Sequence, residues 1–353
     1  MKYRKRFLPA RTWRPLLRTL LLAVGLSWTA VAGLAQPAAR TPADFGYQHL
    51  TIPDGREQAE VLVLARKGEE RLRKPLLLFV QGSLPQPLIK YTATGAYPVF
   101  PFNPDLFTTD YHLIVISKPG IPLVAAVEKL QPNFSYFDPQ TQAPPTAYCQ
   151  RNYLDYYVAR NAAVLRYLRR QPWVDARRVV AVGHSEGSTV VGRLAAESRV
   201  LTHAVYLSGN PAGRMATIVA QQRAAGADAA EAFRRWEQIV THPEETSCTS
   251  GDAPRTTYSF SEPPARYLPR TRVPLLIMYG TRDAAAPFND AFRLDMIRER
   301  NPRLHFRDYS GLEHNFFGFK DGRVDYEQFH WDDVARDFRQ WVQNAGTTAA
   351  GSR

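Results

Sequence analysis

Cysteine is scarce in this sequence, since only Cys149 and Cys248 occur among its 353 residues. No Cys-x-x-Cys pair and no Cys/His spacing typical of a structural zinc site is present, which argues against a zinc-stabilised domain. If the two cysteines paired outside the cytoplasm, they would close a loop of about a hundred residues. The sequence alone leaves both a disulfide and two free thiols open, because it does not give the distance between the two Cα atoms.

Acidic side chains are absent from residues 1–35, which carry seven Lys or Arg residues. This basic start is followed by an apolar run at residues 20–26 and by small residues up to Ala35. That order is typical of a secretory signal peptide cleaved after Ala35, so we expect export to the periplasm or the exterior. The alternative is an uncleaved N-terminal membrane anchor, because residues 19–35 carry no charge and approach the length of a membrane span. No other segment of the sequence is long and apolar enough to cross a membrane.

Most of the net positive charge belongs to this N-terminal segment. The whole chain has 45 Lys and Arg against 33 Asp and Glu, a formal net charge of +12. Without residues 1–35 the net charge falls to +5. A basic balance by itself would favour nucleic acid or an anionic surface as partner. No basic helix, zinc pattern or aromatic RNA-binding motif accompanies it, so we predict no nucleic-acid partner, and a membrane contact only if the N-terminal segment is retained.

Apolar runs alternate with helical patterns along the rest of the chain. After a linker at residues 36–46, residues 47–52 and 59–66 predict an antiparallel strand pair around a Pro-Asp-Gly turn. Runs typical of buried strands follow at residues 76–80, 112–116, 179–182, 203–207, 275–279 and 304–306. Helical spacing marks residues 152–171, the segment after residue 187, and residues 326–343, with a flexible tail at 346–353. This alternation predicts an α/β domain over residues 47–345 with a doubly wound, mostly parallel sheet.

Two segments interrupt the alternation. Residues 85–150 contain 11 of the 27 prolines and ten Phe or Tyr residues. Residues 210–270 combine a helical stretch, residues 215–240, with a proline-rich exit. Both would lie at the carboxyl ends of strands, where open α/β sheets bind ligands, so we expect them to form walls or a lid over a site. The alternative is that they are surface insertions without a role in binding.

The strongest chemical signal is the run Gly183-His184-Ser185-Glu186-Gly187. It is a G-x-S-x-G motif between a predicted buried strand and a predicted helix. A sharp strand-to-helix turn of this kind exposes the serine hydroxyl above a sheet, and the flanking glycines allow the close approach of neighbouring backbone. The helix N-terminus also favours negative charge that develops beside the serine. The motif therefore predicts Ser185 as a nucleophile.

A serine hydroxyl needs a base to take its proton, and two downstream loops supply the matching residues. Asp283 follows the strand predicted at 275–279, and His314 follows the strand predicted at 304–306. The order Ser, Asp, His is that of a catalytic triad built on strand ends. Asp308 is the alternative acid, but it lies within or just after the last of these strands. His184 is more consistent with local packing than with the role of base.

The residues from Leu168 through Pro172-Trp173-Val174-Asp175 to the serine motif resemble those of serine hydrolases with the α/β-hydrolase fold. The similar branch holds dienelactone-hydrolase-like, prolyl-oligopeptidase-like and acyl-thioesterase-type enzymes. The resemblance covers about residues 47–345 apart from the two interrupting segments. It implies an α/β-hydrolase fold with a helical lid insertion, in which Ser185 is the nucleophile, Asp283 the acid and His314 the base.

The resemblance also implies an oxyanion hole made by two backbone N–H groups. One is that of Glu186, and the other belongs to the loop after Val80. The family commonly has His-Gly in that loop, whereas this chain has Gln81-Gly82-Ser83-Leu84. We expect Ser83 to be the second donor, with Leu84 as the alternative. The family implies no metal and no organic cofactor.

The sequence thus predicts an exported serine hydrolase that cleaves a carboxylic ester, or a related thioester or amide, of a small-molecule or acyl substrate. One alternative is a non-catalytic binding protein on the same fold. Another is a peptidase of the prolyl-oligopeptidase type, which we expect less because such enzymes usually carry a large propeller before the first strand. The triad does not select among the bond types. The sequence does not specify the substrate or the oligomeric state.

Overall fold

A computed structural model describes residues 40–248 and 251–348 of the chain. The predicted signal peptide, the first four residues of the predicted linker and the end of the predicted tail lie outside the described residues. Within the described ranges, no helix combines the length and the apolar character that a membrane span requires.

The described strands form one large sheet and two small ones. In chain order they are β1 (Tyr47–Asp54), β2 (Glu57–Leu64), β3 (Lys74–Val80), β4 (Ile89–Tyr91), β5 (Ala96–Pro98), β6 (His112–Ile116), β7 (Val124–Ala126), β8 (Val174–His184), β9 (His203–Leu207), β10 (Leu275–Gly280), β11 (Leu304–Tyr309), β12 (Phe317–Lys320) and β13 (Arg323–Phe329). The large sheet has the spatial order β1-β2-β6-β3-β8-β9-β10-β11. Strand β2 pairs antiparallel with β1 and β6, and the remaining neighbours pair parallel. The predicted mostly parallel sheet is therefore confirmed.

Helices cover both faces of this sheet. In chain order they are α1 (Asp105–Thr108), α2 (Thr146–Arg151), α3 (Leu154–Leu168), α4 (Glu186–Glu197), α5 (Arg214–Ala224), α6 (Ala230–Thr241), α7 (Pro254–Phe260), α8 (Ala286–Arg298) and α9 (Trp331–Thr348). The apolar sides of α3, α4 and α8 pack on one face, and those of α1 and α9 pack on the other. Side chains of a strand alternate between faces, so in β3 Leu76 joins the first core and Leu77 the second. The sheet is thus doubly wound, as the sequence predicts.

The C-terminal helix begins later than its sequence pattern indicates. Residues 326–329 belong to β13, which pairs antiparallel with β12, and α9 begins at Trp331. The turn between these two strands has Asp321 and Gly322 at φ 50° and 75°. Two successive positive φ values are the conformation of a type I′ hairpin turn, for which Asp-Gly is a preferred pair. The prediction of a helix from residue 326 was wrong because the aromatic spacing of the strand happens to continue that of the helix. The predicted tail also differs, since α9 extends to Thr348.

The two interrupting segments carry short elements of their own. Residues 85–150 include β4, β5 and β7, which form a three-stranded sheet in the order β5-β4-β7, as well as α1 and α2. The helical stretch predicted at 215–240 is divided into α5 and α6, with Gly226 at φ 72° between them. Cys149 and Cys248 form a disulfide that joins the two segments, with their Cα atoms 5.7 Å apart. The alternative of two free thiols is therefore excluded.

Candidate active site

Ser185 lies in a sharp turn between β8 and α4. Its backbone has φ 56° and ψ −121°, a conformation that an L-residue rarely adopts. The flanking glycines make this turn possible: a Cβ on Gly183 would collide with the carbonyl of Gly187, and a Cβ on Gly187 would collide with the carbonyl of Val80. The end of β3 and the start of α4 therefore approach more closely than side chains would allow, and the serine hydroxyl stands above the carboxyl edge of the sheet.

The loops after β10 and β11 bring Asp283 and His314 to this serine. His314 Nε2 lies 3.0 Å from Ser185 Oγ, and His314 Nδ1 lies 2.8 Å from Asp283 Oδ2. Both distances are those of hydrogen bonds. Because adjacent parallel strands end at the same edge of the sheet, residues 129 positions apart in the chain meet there. The structure thus places the three residues predicted from the sequence in one hydrogen-bonded series.

The carboxylate of Asp283 is buried and fixed. Its side chain is 1% exposed, and its Oδ1 accepts a hydrogen bond of 3.0 Å from the N–H of Ala285. Burial alone would lower the pKa of His314, but the hydrogen bond and the negative charge of Asp283 outweigh burial and raise that pKa above its ordinary value of 6.5. The pair therefore favours an imidazolium more than an isolated buried histidine would, as a general base requires after it takes a proton.

His184, next to the serine, has a different environment. Burial lowers its pKa to about 3, with a further lowering by His314, so its ring is neutral at ordinary pH. Its Nε2 lies 3.0 Å from the carbonyl oxygen of His314 and donates to it. Its ring packs against Trp331 at 4.9 Å between centroids. His184 therefore supports the backbone of the His314 loop, which agrees with the local packing expected from the sequence.

The alternative acid, Asp308, lies in β11 and takes no part in this series. Its Oδ1 accepts a hydrogen bond of 2.9 Å from Arg293 of α8 on the outer side of the sheet. Glu313 instead accepts backbone hydrogen bonds from Asn315, at 2.6 Å, and from Phe317, at 3.1 Å. These bonds hold the loop that carries His314.

Glu186 and Ser83 are the two residues expected to offer backbone N–H groups beside Ser185. Glu186 is the first residue of α4, so its N–H has no acceptor within the helix. Ser83 lines the same cavity as Ser185, and its N–H makes no hydrogen bond to another described residue. Leu84 does not contribute to the described lining of this cavity, and its side chain is 41% exposed. The position of Ser83 is therefore the better match to the expected second donor.

A cavity of about 250 Å³ opens in front of Ser185. Residues 208–210, just after β9, and residues of α5 form much of its wall. Polar and apolar groups both line the cavity, and Ile218 and Phe260 are its large apolar side chains. Asn210 is fixed in it by a hydrogen bond of 2.9 Å from its amide nitrogen to Thr217 Oγ1. The cavity thus suits a small group with hydrogen-bonding atoms better than a long aliphatic chain.

A cluster of four charged side chains, two of them buried, adjoins the serine, and the sequence reasoning missed it. Lys118 Nζ lies 3.2 Å from Glu186 Oε1, Arg214 lies 2.7 Å from Glu186 Oε2, and Arg214 also pairs with Asp252. Burial alone would raise the pKa of Glu186, but the charges of Lys118 and Arg214 outweigh it and hold that pKa below its ordinary value. The available signal was the position of Lys118 just after β6, at the same sheet edge as the serine.

The described part of the chain offers no group of three or more His, Cys, Asp or Glu side chains arranged to hold a metal ion.

Several solved structures share this architecture. A putative dipeptidyl aminopeptidase IV from Bacteroides ovatus superposes with a TM-score of 0.54 at 12% identity, and the match covers 83% of this chain and 35% of that one. Dipeptidyl peptidase 4 from Porphyromonas gingivalis superposes with a TM-score of 0.52 at 12% identity, and the match covers 84% of this chain and 35% of that one. Est1E from Butyrivibrio proteoclasticus superposes with a TM-score of 0.50 at 12% identity, and the match covers 84% of this chain and 98% of that one. The chain thus spans about a third of the length of the two peptidases and nearly all of Est1E.

No protein-family model matches the sequence, and a comparison with curated proteins finds no match. At 12% identity the structural likenesses establish the fold, and they confirm the fold predicted from the sequence.

Proposed function

We propose that this chain, which has the α/β-hydrolase fold, is a serine hydrolase that cleaves a carboxylic ester through an acyl-enzyme. The observation that carries the proposal is the hydrogen-bonded series of Ser185, His314 and Asp283, with distances of 3.0 Å and 2.8 Å, on a strained strand-to-helix turn. Each group has the chemical character and the order that the triad mechanism requires.

In the proposed reaction Ser185 Oγ attacks the carbonyl carbon of the substrate while His314 Nε2 takes the hydroxyl proton. Asp283 holds the imidazole through Nδ1 and stabilises its positive charge. The N–H groups of Glu186 and Ser83 donate to the oxyanion of the tetrahedral intermediate. The leaving alcohol takes the proton from His314, and a water activated in the same way then releases the acid and restores the serine.

The shape and polarity of the cavity favour a small acyl group. Its volume of about 250 Å³ lies just below the usual range for drug-sized ligands, about 300–1,000 Å³, and few apolar side chains line it. A short or polar acyl group would find hydrogen-bond partners there, whereas a long aliphatic chain would leave buried polar groups unpaired. Thioesters and amides use the same triad, so they remain candidate substrates.

We also propose that the enzyme acts outside the cytoplasm after loss of residues 1–35. The disulfide between Cys149 and Cys248 supports this location, because disulfides form and persist mainly in oxidising compartments. A non-catalytic binding role has less support, since the hydrogen bonds of the triad are complete in this chain.

Replacement of Ser185 tests the proposal directly. We expect Ser185→Ala to abolish turnover of short-chain p-nitrophenyl esters and covalent labelling by a fluorophosphonate, because no other hydroxyl occupies the position of the nucleophile. Ser198→Ala, the same change at the far end of α4, should retain both activities. Circular dichroism would verify that both variants are folded. Undiminished turnover by the Ser185→Ala variant would overturn the assignment, and an unlabelled wild-type protein would favour a binding role.

A further inference from the structure

The charged cluster beside the nucleophile has two buried members and two partly buried ones. The side chains of Lys118 and Glu186 are each 4% exposed, that of Arg214 is 18% exposed and that of Asp252 is 28% exposed. Positive and negative side chains alternate in this cluster, so each carboxylate has a cationic partner. Because the removal of charged groups from water is unfavourable, a buried ion pair is weak evidence for a gain in stability. Stability alone therefore does not account for this cluster.

Lys118 has a second contact, with the loop that carries the other proposed oxyanion donor. Its Nζ donates to the carbonyl oxygen of Ser83 at 2.8 Å. The hydroxyl of Tyr148 donates to the same oxygen, also at 2.8 Å. Two donors on one carbonyl fix the peptide plane between Ser83 and Leu84. The N–H of Ser83 belongs to the preceding peptide plane, which meets the fixed one at the Cα of Ser83, so only the φ and ψ rotations of Ser83 separate the two planes. The loop after β3 is otherwise irregular and carries no strand hydrogen bonds at Ser83.

A single ammonium group thus contacts both halves of the proposed hole. It binds the side chain of Glu186, whose own N–H is one donor, and the carbonyl of Ser83, whose N–H is the other. The two halves belong to separate loops, after β3 and after β8, and Ser83 and Glu186 are 103 positions apart in the chain. Stabilisation of an oxyanion depends on donors that are already in place, because a displacement of about 1 Å lowers the rate by about a hundredfold.

We propose that Lys118 is a positioning residue that sets the separation and the direction of the two oxyanion donors. The proposal rests on the serine-hydrolase function proposed above. Glu186 acts with it, since its carboxylate is the counter-ion that keeps the ammonium in place and is itself held from the other side by Arg214. Lys118 does not contact the reacting atoms, so its effect is transmitted through Ser83 and Glu186.

The test replaces the ammonium by an apolar group of similar length, Lys118→Met. We expect kcat to fall by about 10–100-fold with little change in KM, because the donors interact with the transition state more strongly than with the substrate. The inhibition constant of a trifluoromethyl ketone, whose adduct carries an oxyanion, should weaken by a similar factor. The variant should still react with a fluorophosphonate, although more slowly, because its triad is complete.

Lys74 provides a matched control for the loss of a buried lysine. It lies at the start of β3, at the opposite edge of the sheet, and its side chain is 9% exposed. Its Nζ pairs with Glu69 and donates to the carbonyl of Thr108 at 2.8 Å, so its partners are again one carboxylate and one carbonyl. Lys74→Met should lower the midpoint of urea unfolding to a similar extent as Lys118→Met, and it should leave kcat and the inhibition constant unchanged.

A second variant covers the possibility that Lys118→Met does not fold. The double change Lys118→Met and Glu186→Gln removes both charges and avoids an underpaired carboxylate. It should fold and show the same loss of kcat. Restored charge in Lys118→Arg should recover part of the activity.

The outcomes separate this proposal from the function on which it rests. Wild-type kcat or an unchanged inhibition constant in both Lys118→Met and the double variant would overturn the positioning role, while the proposed esterase activity would stand. An equal loss of kcat in Lys74→Met would also overturn it, since the effect would then be general destabilisation. Wild-type protein that neither hydrolyses esters nor takes the fluorophosphonate would overturn both proposals.

Discussion

At the scale of single residues, the sequence located the triad because each member follows a recognisable strand. Ser185, Asp283 and His314 lie on the turn or loop that follows β8, β10 and β11, and the parallel topology brings these strand ends together. Arg214 and Asp252 were beyond that reasoning. They lie in the segment 210–270, where no sheet register fixes their positions, and their meeting with Glu186 depends on long-range packing. Residues that closely follow the strands of the large sheet were therefore predictable, and residues of the segment 210–270 were not.

The pairing of Asp283 with His314 predicts a pH effect. In the wild type, Asp283 raises the pKa of His314 above 6.5, and catalysis requires the neutral imidazole, so kcat/KM should rise with pH through a pKa above that value. In Asp283→Asn the carboxylate that raises the pKa of His314 is lost, and burial then lowers that pKa. The rise of kcat/KM with pH should therefore move to lower pH. The value of kcat should fall by about 10³–10⁴-fold, because the amide favours the wrong imidazole tautomer. Steady-state hydrolysis of a short-chain ester between pH 5 and pH 9, a working range that brackets the pKa of histidine, measures both effects.

Asp308→Asn is the matched control for this change. Asp308 pairs with Arg293 on the outer side of the sheet, and the same substitution there should alter neither kcat nor the pH profile. A profile that shifts in Asp308→Asn but stays fixed in Asp283→Asn would contradict the assignment of the acid.

At the scale of elements, the strands that were buried on both faces were the most predictable. The bounds of β6 and β9 coincide with the apolar runs at 112–116 and 203–207, because their residues are buried throughout. The hairpin of β12 and β13 was missed, although Asp321-Gly322 is a strong turn signal. Its strands carry many exposed residues, so their apolar pattern is weak, and residues 326–329 were predicted as the start of the helix that follows.

The approach of β10 to the loop of His314 predicts the effect of a single methyl group. A Cβ on Gly280 would collide with the carbonyl oxygens of Leu312 and Glu313, the two residues before His314. We expect Gly280→Ala to displace this loop and to lower kcat/KM by about a hundredfold, because catalytic geometry tolerates little misplacement. Ester hydrolysis and the rate of fluorophosphonate labelling both report the change. Gly95→Ala, at a position with nothing within 4 Å of the added Cβ, should have wild-type activity, and a fully active Gly280→Ala would show that the loop adapts.

At the scale of the whole molecule, the disulfide connects the two segments that interrupt the α/β alternation. Cys149 lies in α2, which also carries Tyr148, a donor to the carbonyl of Ser83. Cys248 precedes Asp252, which pairs with Arg214 in the wall of the cavity. One covalent bond therefore joins a support of the oxyanion loop to a wall of the cavity. The sequence showed that the cysteines could pair, but only the packing of the two segments brings them together.

Removal of this bond should affect both stability and the site. The cross-link closes a loop of 99 residues, so Cys149→Ser combined with Cys248→Ser should lower the free energy of unfolding by about 2–4 kcal/mol, chiefly because the unfolded chain gains freedom. The segment that carries Asp252 also loses its anchor, so KM for short-chain esters should rise. Urea unfolding and steady-state kinetics measure the two effects. Dithiothreitol should bring the free energy of unfolding and the KM of the wild type to those of the double variant, and it should leave the double variant unchanged. If the reductant changed both proteins equally, or neither, the disulfide would not be what holds the two segments together over the site.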